Sequence, residues 1–286
     1  MAGIDHSSED AESVDLLTKL TAFEKRTHNT GIFATQHAQY GIYSGSLSLR
    51  QDKHDSFGEH TSGSTTVAAQ VTPAIKLYGA YGSAFRAPSA NDLYYPGFFG
   101  MYAGNPDLEP EKSRQSELGA EYRQGSRYTR ISAYRNIVKN LIASGPAFPF
   151  SQENINRARL QGIELETGGR IDSLTYKLNV SSQSSEDGNG QDLSHRPQGS
   201  LNGSVTYAIN DALSIGTDVQ ARSTILSGGQ ELPRHAIMGL HAGWNVSPSL
   251  TLGARLDNVG DKEYQQVYTY GTARRSGYVT MNWRWQ

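Results

Sequence analysis

Apolar and polar residues alternate with a period of two along most of the chain. Leu174, Tyr176, Leu178 and Val180 stand against Thr175, Lys177 and Asn179. Leu213, Ile215, Val219 and Ala221 stand against Ser214, Gly216, Asp218 and Gln220. The runs Leu250 to Asp257 and Ala236 to Val246 repeat the scheme, the latter with Met238, Leu240, Ala242 and Trp244 on its apolar side. A strand sends successive side chains to opposite faces, so each run predicts a strand with one oily and one wet face. Fourteen strands are predicted: about 2 to 9, 29 to 39, 42 to 51, 61 to 71, 75 to 86, 114 to 123, 127 to 139, 156 to 169, 173 to 184, 196 to 208, 212 to 222, 235 to 246, 249 to 257 and 275 to 286.

The connections alternate in length. Gln39-Tyr40-Gly41, Thr72-Pro73-Ala74, Gln124-Gly125-Ser126, Arg170-Ile171-Asp172, Asn210-Asp211 and Ser247-Pro248 read as tight turns. Longer links are expected at 10 to 28, 52 to 60, 87 to 112, 142 to 154, 185 to 195, 223 to 234 and 258 to 274. Short turns at one end and long loops at the other describe an antiparallel up-and-down meander. Many of the strands reach the ~9 to 11 residues that a tilted membrane strand requires. The final segment places Val279, Met281, Trp283 and Trp285 against Thr280, Asn282, Arg284 and Gln286, an apolar-out, polar-in pattern. The fold class expected is therefore all-β, an antiparallel transmembrane β-barrel; a soluble β-sandwich is the alternative. No internal repeat beyond the hairpin points to a propeller or solenoid.

Composition sharpens this picture. Only 36% of the residues are hydrophobic, which argues against a large two-sided core and suits a wall one residue thick. No run approaches the ~18 to 20 apolar residues of a transmembrane helix. The absence of Cys removes disulfides and thiolate metal sites, and a net charge of -2 gives no reason to expect nucleic acid. Residues Met1 to His6 carry neither a basic nor an apolar leader segment, so no export signal is expected at this end.

The stretch Ala84-Phe85-Arg86-Ala87-Pro88-Ser89, a variable loop, and then Gly104-Asn105-Pro106-Asp107-Leu108-Glu109-Pro110-Glu111-Lys112-Ser113 resembles the TonB-dependent outer-membrane receptors. Ala133-Tyr134-Arg135-Asn136, Asn154 to Glu164 and Asp257-Asn258-Val259-Gly260-Asp261-Lys262-Glu263-Tyr264 extend the resemblance over essentially the whole chain. Those receptors are 22-stranded barrels filled by an N-terminal plug that follows a TonB-gripped box. The resemblance thus implies that residues 1 to 286 are the C-terminal part of such a barrel, lacking plug and box. It implies long loops outside the cell and tight turns in the periplasm. It also implies contact with outer-membrane lipid and lipopolysaccharide, with the barrel assembly machinery, and with the TonB complex through a missing N-terminal part. The family's assembly signal is an aromatic last residue, whereas here Gln286 follows Trp285.

Within the family the chain is similar to the cobalamin receptors, on Asn91-Asp92-Leu93-Tyr94-Tyr95 with Gly100, and on Val267-Tyr268-Thr269-Tyr270-Gly271-Thr272-Ala273. Tyr270 matches a tyrosine that lies close to the bound corrinoid in those receptors. Leu193-Ser194-His195-Arg196-Pro197 is similar to a ligand loop with two adjacent Arg, the first of which is replaced by His195. The implied function is active import of cobalamin or another large metal chelate. An iron-siderophore receptor and a passive outer-membrane pore are the alternatives.

Read residue by residue, the best candidates for ligand contact are the loop rings Tyr94, Tyr95, Phe98, Phe99 and Tyr102, which can cover a planar ligand and still meet water. The competing role is packing among neighbouring loops. His195, Arg196 and Tyr270 complete the expected site. Asn105 to Glu111 is expected to be structural, with Pro106 and Pro110 fixing the backbone and the carboxylates left in solvent. His54 and His60, with Asp52, Asp55 and Glu59, are expected to form a solvated loop rather than a cation site. Ser194-His195 cannot by itself present a catalytic triad, so no enzyme activity, cofactor or metal is expected. Lys177, Asp218, Arg255, Asp257 and Arg284 should face the lumen and neutralise one another across strands. The wall should be either open and curved or closed into a smaller barrel.

Overall fold

The computed structural model describes residues 1–16, 18–97, 102–144 and 150–285. Fourteen strands follow one another in the sheet in chain order. They are β1 (Ala2–Val14), β2 (Thr21–Tyr40), β3 (Tyr43–His54), β4 (Gly58–Thr72), β5 (Ile75–Arg86), β6 (Glu111–Gln124) and β7 (Arg127–Ser144). The second half comprises β8 (Phe150–Ile171), β9 (Leu174–Asp187), β10 (Gly199–Ala208), β11 (Leu213–Arg222), β12 (His235–Ser247), β13 (Leu250–Asp257) and β14 (Ser276–Trp283). Every neighbouring pair is antiparallel, and among the described residues no pairing joins β1 to β14. The expected meander is present, in its open, curved form.

The register follows the hydrophobic pattern. Leu178 lies opposite Gly203, Val180 opposite Leu201, Val219 opposite Met238, Trp244 opposite Leu252, and Ala254 opposite Val279. A slip of one residue would turn every such side chain to the wrong face. The apolar set is exposed, with Leu118 at 71% and Val279 at 84%. The fully buried apolar residues among those described are Leu93, Leu108, Val138, Ala158, Leu193, Ile225 and Leu232. No second layer covers the oily face, which removes the sandwich alternative; so large an exposed apolar surface is what lipid covers.

The strands are longer than expected. The predicted link at 10 to 28 is largely strand, β1 running to Val14 and β2 starting at Thr21, and the link at 52 to 60 shrinks to the turn 55–57. The link at 142 to 154 is likewise mostly paired strand on both sides of residues 145–149. On β8 the apolar outward positions run from Ile163 to Ile171. Nine residues at ~3.3 Å each, tilted ~40°, span about 23 Å, which matches an apolar belt ~25 Å tall. The whole 22-residue strand spans about 55 Å by the same measure. More than half of β8 therefore stands clear of the hydrocarbon.

The long-loop rim carries what little irregular structure there is: the one-turn helix α1 (Ala90–Tyr94), and a hairpin of Ile225–Ser227 with Gln230–Leu232. That hairpin turns on Gly228 and Gly229, both at positive φ, as a two-residue turn demands. Tyr102–Ala103 pairs in parallel with Phe150–Ser151.

The inner face is polar. Glu121 receives Lys76, Arg123 and Arg130, and Tyr78 and Tyr128 donate to Glu117 and Glu166 at 2.9 Å. The expected cross-strand neutralisation needs correcting in detail. Asp218 pairs with His241 at 3.0 Å, whose other ring nitrogen meets Thr206, and Arg255 pairs along its own strand with Asp257 at 3.0 Å.

Candidate functional site

Arg86 opens the first half of the rim. It ends β5 and donates to Glu111 at 2.7 Å and to Asp92 at 3.0 Å. Asp92 also accepts from Ser89, whose hydroxyl caps the Asp92 amide, so the start of α1 is held by a reciprocal capping box. That short helix presents Tyr94. Its ring lies 6.0 Å from Phe23 and 5.0 Å from the Lys25 ammonium, both at the outer end of β2. The wall's curvature thus brings β2 against the β5–β6 loop. Tyr94 and Tyr95 are half-buried, so the packing role expected for loop aromatics is real at Tyr94. Phe98 and Phe99 lie outside the described residues, and of Tyr102 only the backbone pairing is described.

The Gly104 to Glu111 segment is a latch. A Cβ on Gly104 would fall 2.7 Å from backbone atoms of Leu93, Tyr94 and Tyr95, so only glycine permits this approach. The approach allows Gly104 to donate to the Tyr95 carbonyl at 2.9 Å and Asn105 to the Asp92 carbonyl at 2.8 Å. Asn154, on β8, then accepts from the Glu109 amide at 2.8 Å and donates to the carbonyls of Glu109 and Asn140, each at 2.9 Å. The structural role expected for this stretch is present, but its carboxylates are not all left to solvent. Glu109 accepts from the Asn140 side chain at 2.7 Å, and Glu111 holds Arg86 and the Ile142 amide. The prolines fix the backbone locally, and the fold supplies cross-strand partners that local reasoning does not see.

The other half of the rim is built on Ser227, 1% exposed. Its hydroxyl meets the His195 ring at 2.8 Å and accepts from the Tyr268 amide at 3.0 Å, joining three loops at one oxygen. His195 sits at φ 62, and its own amide donates to Leu226. Nearby, Leu193 packs with Val138 and Ala158 on the inner face of β7 and β8. The β9–β10 loop therefore folds inward over the lumen. Arg196 consequently lines a cavity of about 290 Å³ together with Arg86, Glu111, Asn136, Val138 and Leu160. The Asn136 side-chain oxygen is buried with no hydrogen-bond partner. A cationic donor, an unmet acceptor and an apolar floor share one space.

The β13–β14 loop is clamped at its base. Asn258, at φ 49, bonds the Lys262 amide and carbonyl at 2.8 Å each. Asp261 accepts from the Arg275 amide at 3.0 Å and from Arg274 at 2.9 Å. The Arg275 amide and then the Arg274 guanidinium hold the Asp261 carboxyl below the usual carboxylate range. Tyr270, at the far end, is 70% exposed.

The predicted residues thus fall in two groups. Tyr94 and Tyr95 stand over β2; His195 and Arg196 share the other half with the loop bearing Tyr270. Arg196 and Arg86 meet in one cavity and so link the halves. Asn136 and Asn154 lie in stretches that carry the resemblance but are not among the expected site residues, and Ser227 has no spacing or alternation that sets it apart from an ordinary polar position. Of the residues considered for a weak cation site, Asp52 and His60 are engaged elsewhere, and His54 lies 3.3 Å from the Asp55 carboxylate. Asp52 takes Arg50 and Asn29, while His60 stacks on Phe85 at 3.6 Å and bonds the Phe57 carbonyl.

Compared with known proteins, residues 5–259 match the family model described as TonB dependent receptor-like, beta-barrel. A vitamin B12 transporter of Vibrio vulnificus is 27% identical over 99% of this chain and 47% of its own length, and one of Photobacterium profundum is 26% identical over 91% and 44%. The chain thus spans less than half the length of these curated relatives. Among solved structures, a ferric enterobactin receptor of Pseudomonas aeruginosa superposes with a TM-score of 0.77 at 23% identity, over 91% of this chain and 45% of that one. At such identity the likeness is one of fold.

Proposed function

Because the chain belongs to the TonB dependent receptor-like β-barrel family, we propose that it forms the wall of an outer-membrane receptor that captures cobalamin at its long-loop rim. Release inward is driven through TonB and involves no bond-making by the protein. The long-loop rim faces the medium, the oily belt meets outer-membrane lipid, and the barrel assembly machinery inserts the wall.

The observation that carries this reading is the inward fold of the β9–β10 loop, which sets Arg196 beside the unmet Asn136 oxygen in a cavity opening on the lumen. A corrinoid offers both a phosphodiester for the guanidinium and peripheral amides for the acceptor. The exposed ring of Tyr270, together with Tyr94, Tyr95, Phe98, Phe99 and Tyr102, supplies amphipathic surface for its flat face. His195, held by Ser227, positions the loop and shows the ligand its free edge. The vitamin B12 transporters among the relatives support cobalamin as the ligand.

The test is equilibrium binding to the detergent-purified product of the full coding sequence, with cyanocobalamin competing against ferric siderophore chelates. Cyanocobalamin should bind tightly, and Arg196→Ala should weaken it. Loss of a charged hydrogen bond worth about 1.5 to 3 kcal/mol corresponds to roughly 10- to 150-fold. Preference for a ferric chelate would replace cobalamin with a siderophore. Binding of neither, with steady conductance in planar bilayers, would leave a passive pore.

A further inference from the structure

We propose that His235 is a proton-operated pin for the β13–β14 loop: a charge on its ring releases the stacked Tyr264 and frees the arm that carries Tyr270. The inference goes beyond the transported ligand and holds whichever solute the rim takes.

The pin sits where three elements meet. His235 opens β12 on the lumen side of the rim, above Met238, the first large outward apolar residue of that strand. It follows the hairpin of Ile225–Ser227 with Gln230–Leu232 by way of Pro233 and Arg234, and it stands directly opposite Arg222, the last residue of β11. The loop supplies the cover. Its Val259 amide donates to the Met238 carbonyl at 2.8 Å, which lays the loop base along the start of β12. Tyr264 stacks on the imidazole at 4.4 Å, and His235 is left 8% exposed. Tyr264 is also tied to the far arm, since its carbonyl accepts from the Thr272 hydroxyl at 2.7 Å, just past Tyr270.

The ring is enclosed but poorly met. Its Nδ1 is buried with no hydrogen-bond partner. Arg222 faces it from β11 and Lys262 from the loop, while the hairpin offers the Pro233 carbonyl; Glu231 and Arg234 of that hairpin are exposed to solvent. The carboxylates of the loop and its base are committed, Asp261 and Glu263 to Arg274 at 2.9 and 3.4 Å and Asp257 to Arg255 at 3.0 Å. A proton on the ring would therefore meet two cations and no carboxylate from that loop. The Tyr264 face attracts a cation, but by less than an unpaired buried charge costs. Burial, ahead of the Arg222 and Lys262 charges, holds the ring below the ordinary histidine value against the pull of the Pro233 carbonyl.

The direction of the response follows. With the loop open the ring regains its ordinary value of about 6.5, and with the loop closed it titrates lower. Between the two values the open form takes up a proton that the closed form refuses, so closure is complete above about pH 6.5 and weakens as pH falls through that window. The second tether behaves differently. The Tyr268 amide donates to the Ser227 oxygen at either pH, and the His195 ring beside it can still donate to that oxygen when charged. The loop therefore pivots at Tyr268 instead of detaching.

The test uses the full-length protein in detergent without solute, carrying a nitroxide on Gly271→Cys, where an added Cβ meets nothing within 4 Å and this chain has no native Cys to compete. The ratio of mobile to immobile signal should rise roughly 3- to 10-fold from about pH 7.5 to about pH 5.5. His235→Phe keeps a ring under Tyr264 and takes no proton, so it should hold the neutral-pH ratio throughout. Arg222→Gln removes one facing charge and should shrink the rise. Should His235→Phe already be mobile at neutral pH through misfit, Arg222→Gln decides alone. A ratio indifferent to pH in the otherwise unsubstituted protein, a full rise in Arg222→Gln or in an immobile His235→Phe, or loss of the rise in His195→Gln would each overturn the proposal. Because no solute is present, none of these outcomes depends on what the rim binds.

Discussion

Replacing Gly104 by alanine tests how the rim is held. A Cβ there would sit 2.7 Å from three backbone atoms of Leu93, Tyr94 and Tyr95, none of which can rotate away as a side-chain tip would. Gly104 is not among the glycines at positive φ, so alanine adds a steric cost and no dihedral one. Overpacking of this kind costs about 1 to 3 kcal/mol. Charged to the closed latch alone, it lowers the free energy of local opening by that amount, which speeds exchange of the amides the latch protects by roughly 5- to 150-fold. Those amides are Gly104, bonded to Tyr95, and Asn105, bonded to Asp92. Hydrogen exchange by mass spectrometry on the protein in detergent reads them directly. Gly260→Ala is the control, since nothing lies within 4 Å of its Cβ, and it should change neither amide. Unchanged protection of both amides in Gly104→Ala would show that the segment does not depend on close backbone contact with α1.

Three other outcomes are expected. Ser227→Ala strands the Tyr268 amide at a cost of about 1 to 3 kcal/mol, so that amide should exchange faster while His195, bonded through its own backbone to Leu226, keeps its protection. Leu240→Arg places a charge near the middle of the oily belt and should lower stability in lipid vesicles by about 2 to 4 kcal/mol in urea titrations; no loss would mean the face does not meet hydrocarbon. Because the Asp261 carboxyl is held below its ordinary value, its clamp on Arg274 and Arg275 is fully present above about pH 4 and is lost as pH falls through the lowered value. Limited proteolysis after Arg274 and Arg275, with an acid-tolerant protease calibrated on an unstructured peptide, should therefore rise in acid, and Asp261→Asn should show the raised susceptibility already at neutral pH.

The wall was legible because lipid on one side and water on the other impose a period of two, and that period sets both strand and register. Where Leu174 to Val180 alternate, Leu178 and Val180 meet the partners the pattern implies. The same reasoning missed the upper strands. Glu9 and Asp10 on β1, and Glu24 to His28 on β2, carry polar side chains on both faces, because above the membrane both faces meet water. The ladder continues there through backbone bonds, and through ion pairs such as Arg26 with Asp10, but the alternation that would announce it is gone. The latch shows a different limit. Its glycine, asparagine and prolines were conspicuous, yet Asn140 and Asn154 lie far along the chain, and only the folded register brings them to Glu109. The same holds for Ser227, whose neighbours come from loops 32 and 41 residues away.

The excess height of β8 divides the molecule mechanically. In its lower part every amide must keep its partner, since an unmet one in hydrocarbon costs several kcal/mol. In its upper part, some 33 Å of ladder by the same tilt and rise, water can replace a broken bond at little cost. Breathing motions are therefore confined to a turret standing over a rigid socket. Loops at the rim can therefore open locally while the hydrogen bonds of the belt below them stay closed.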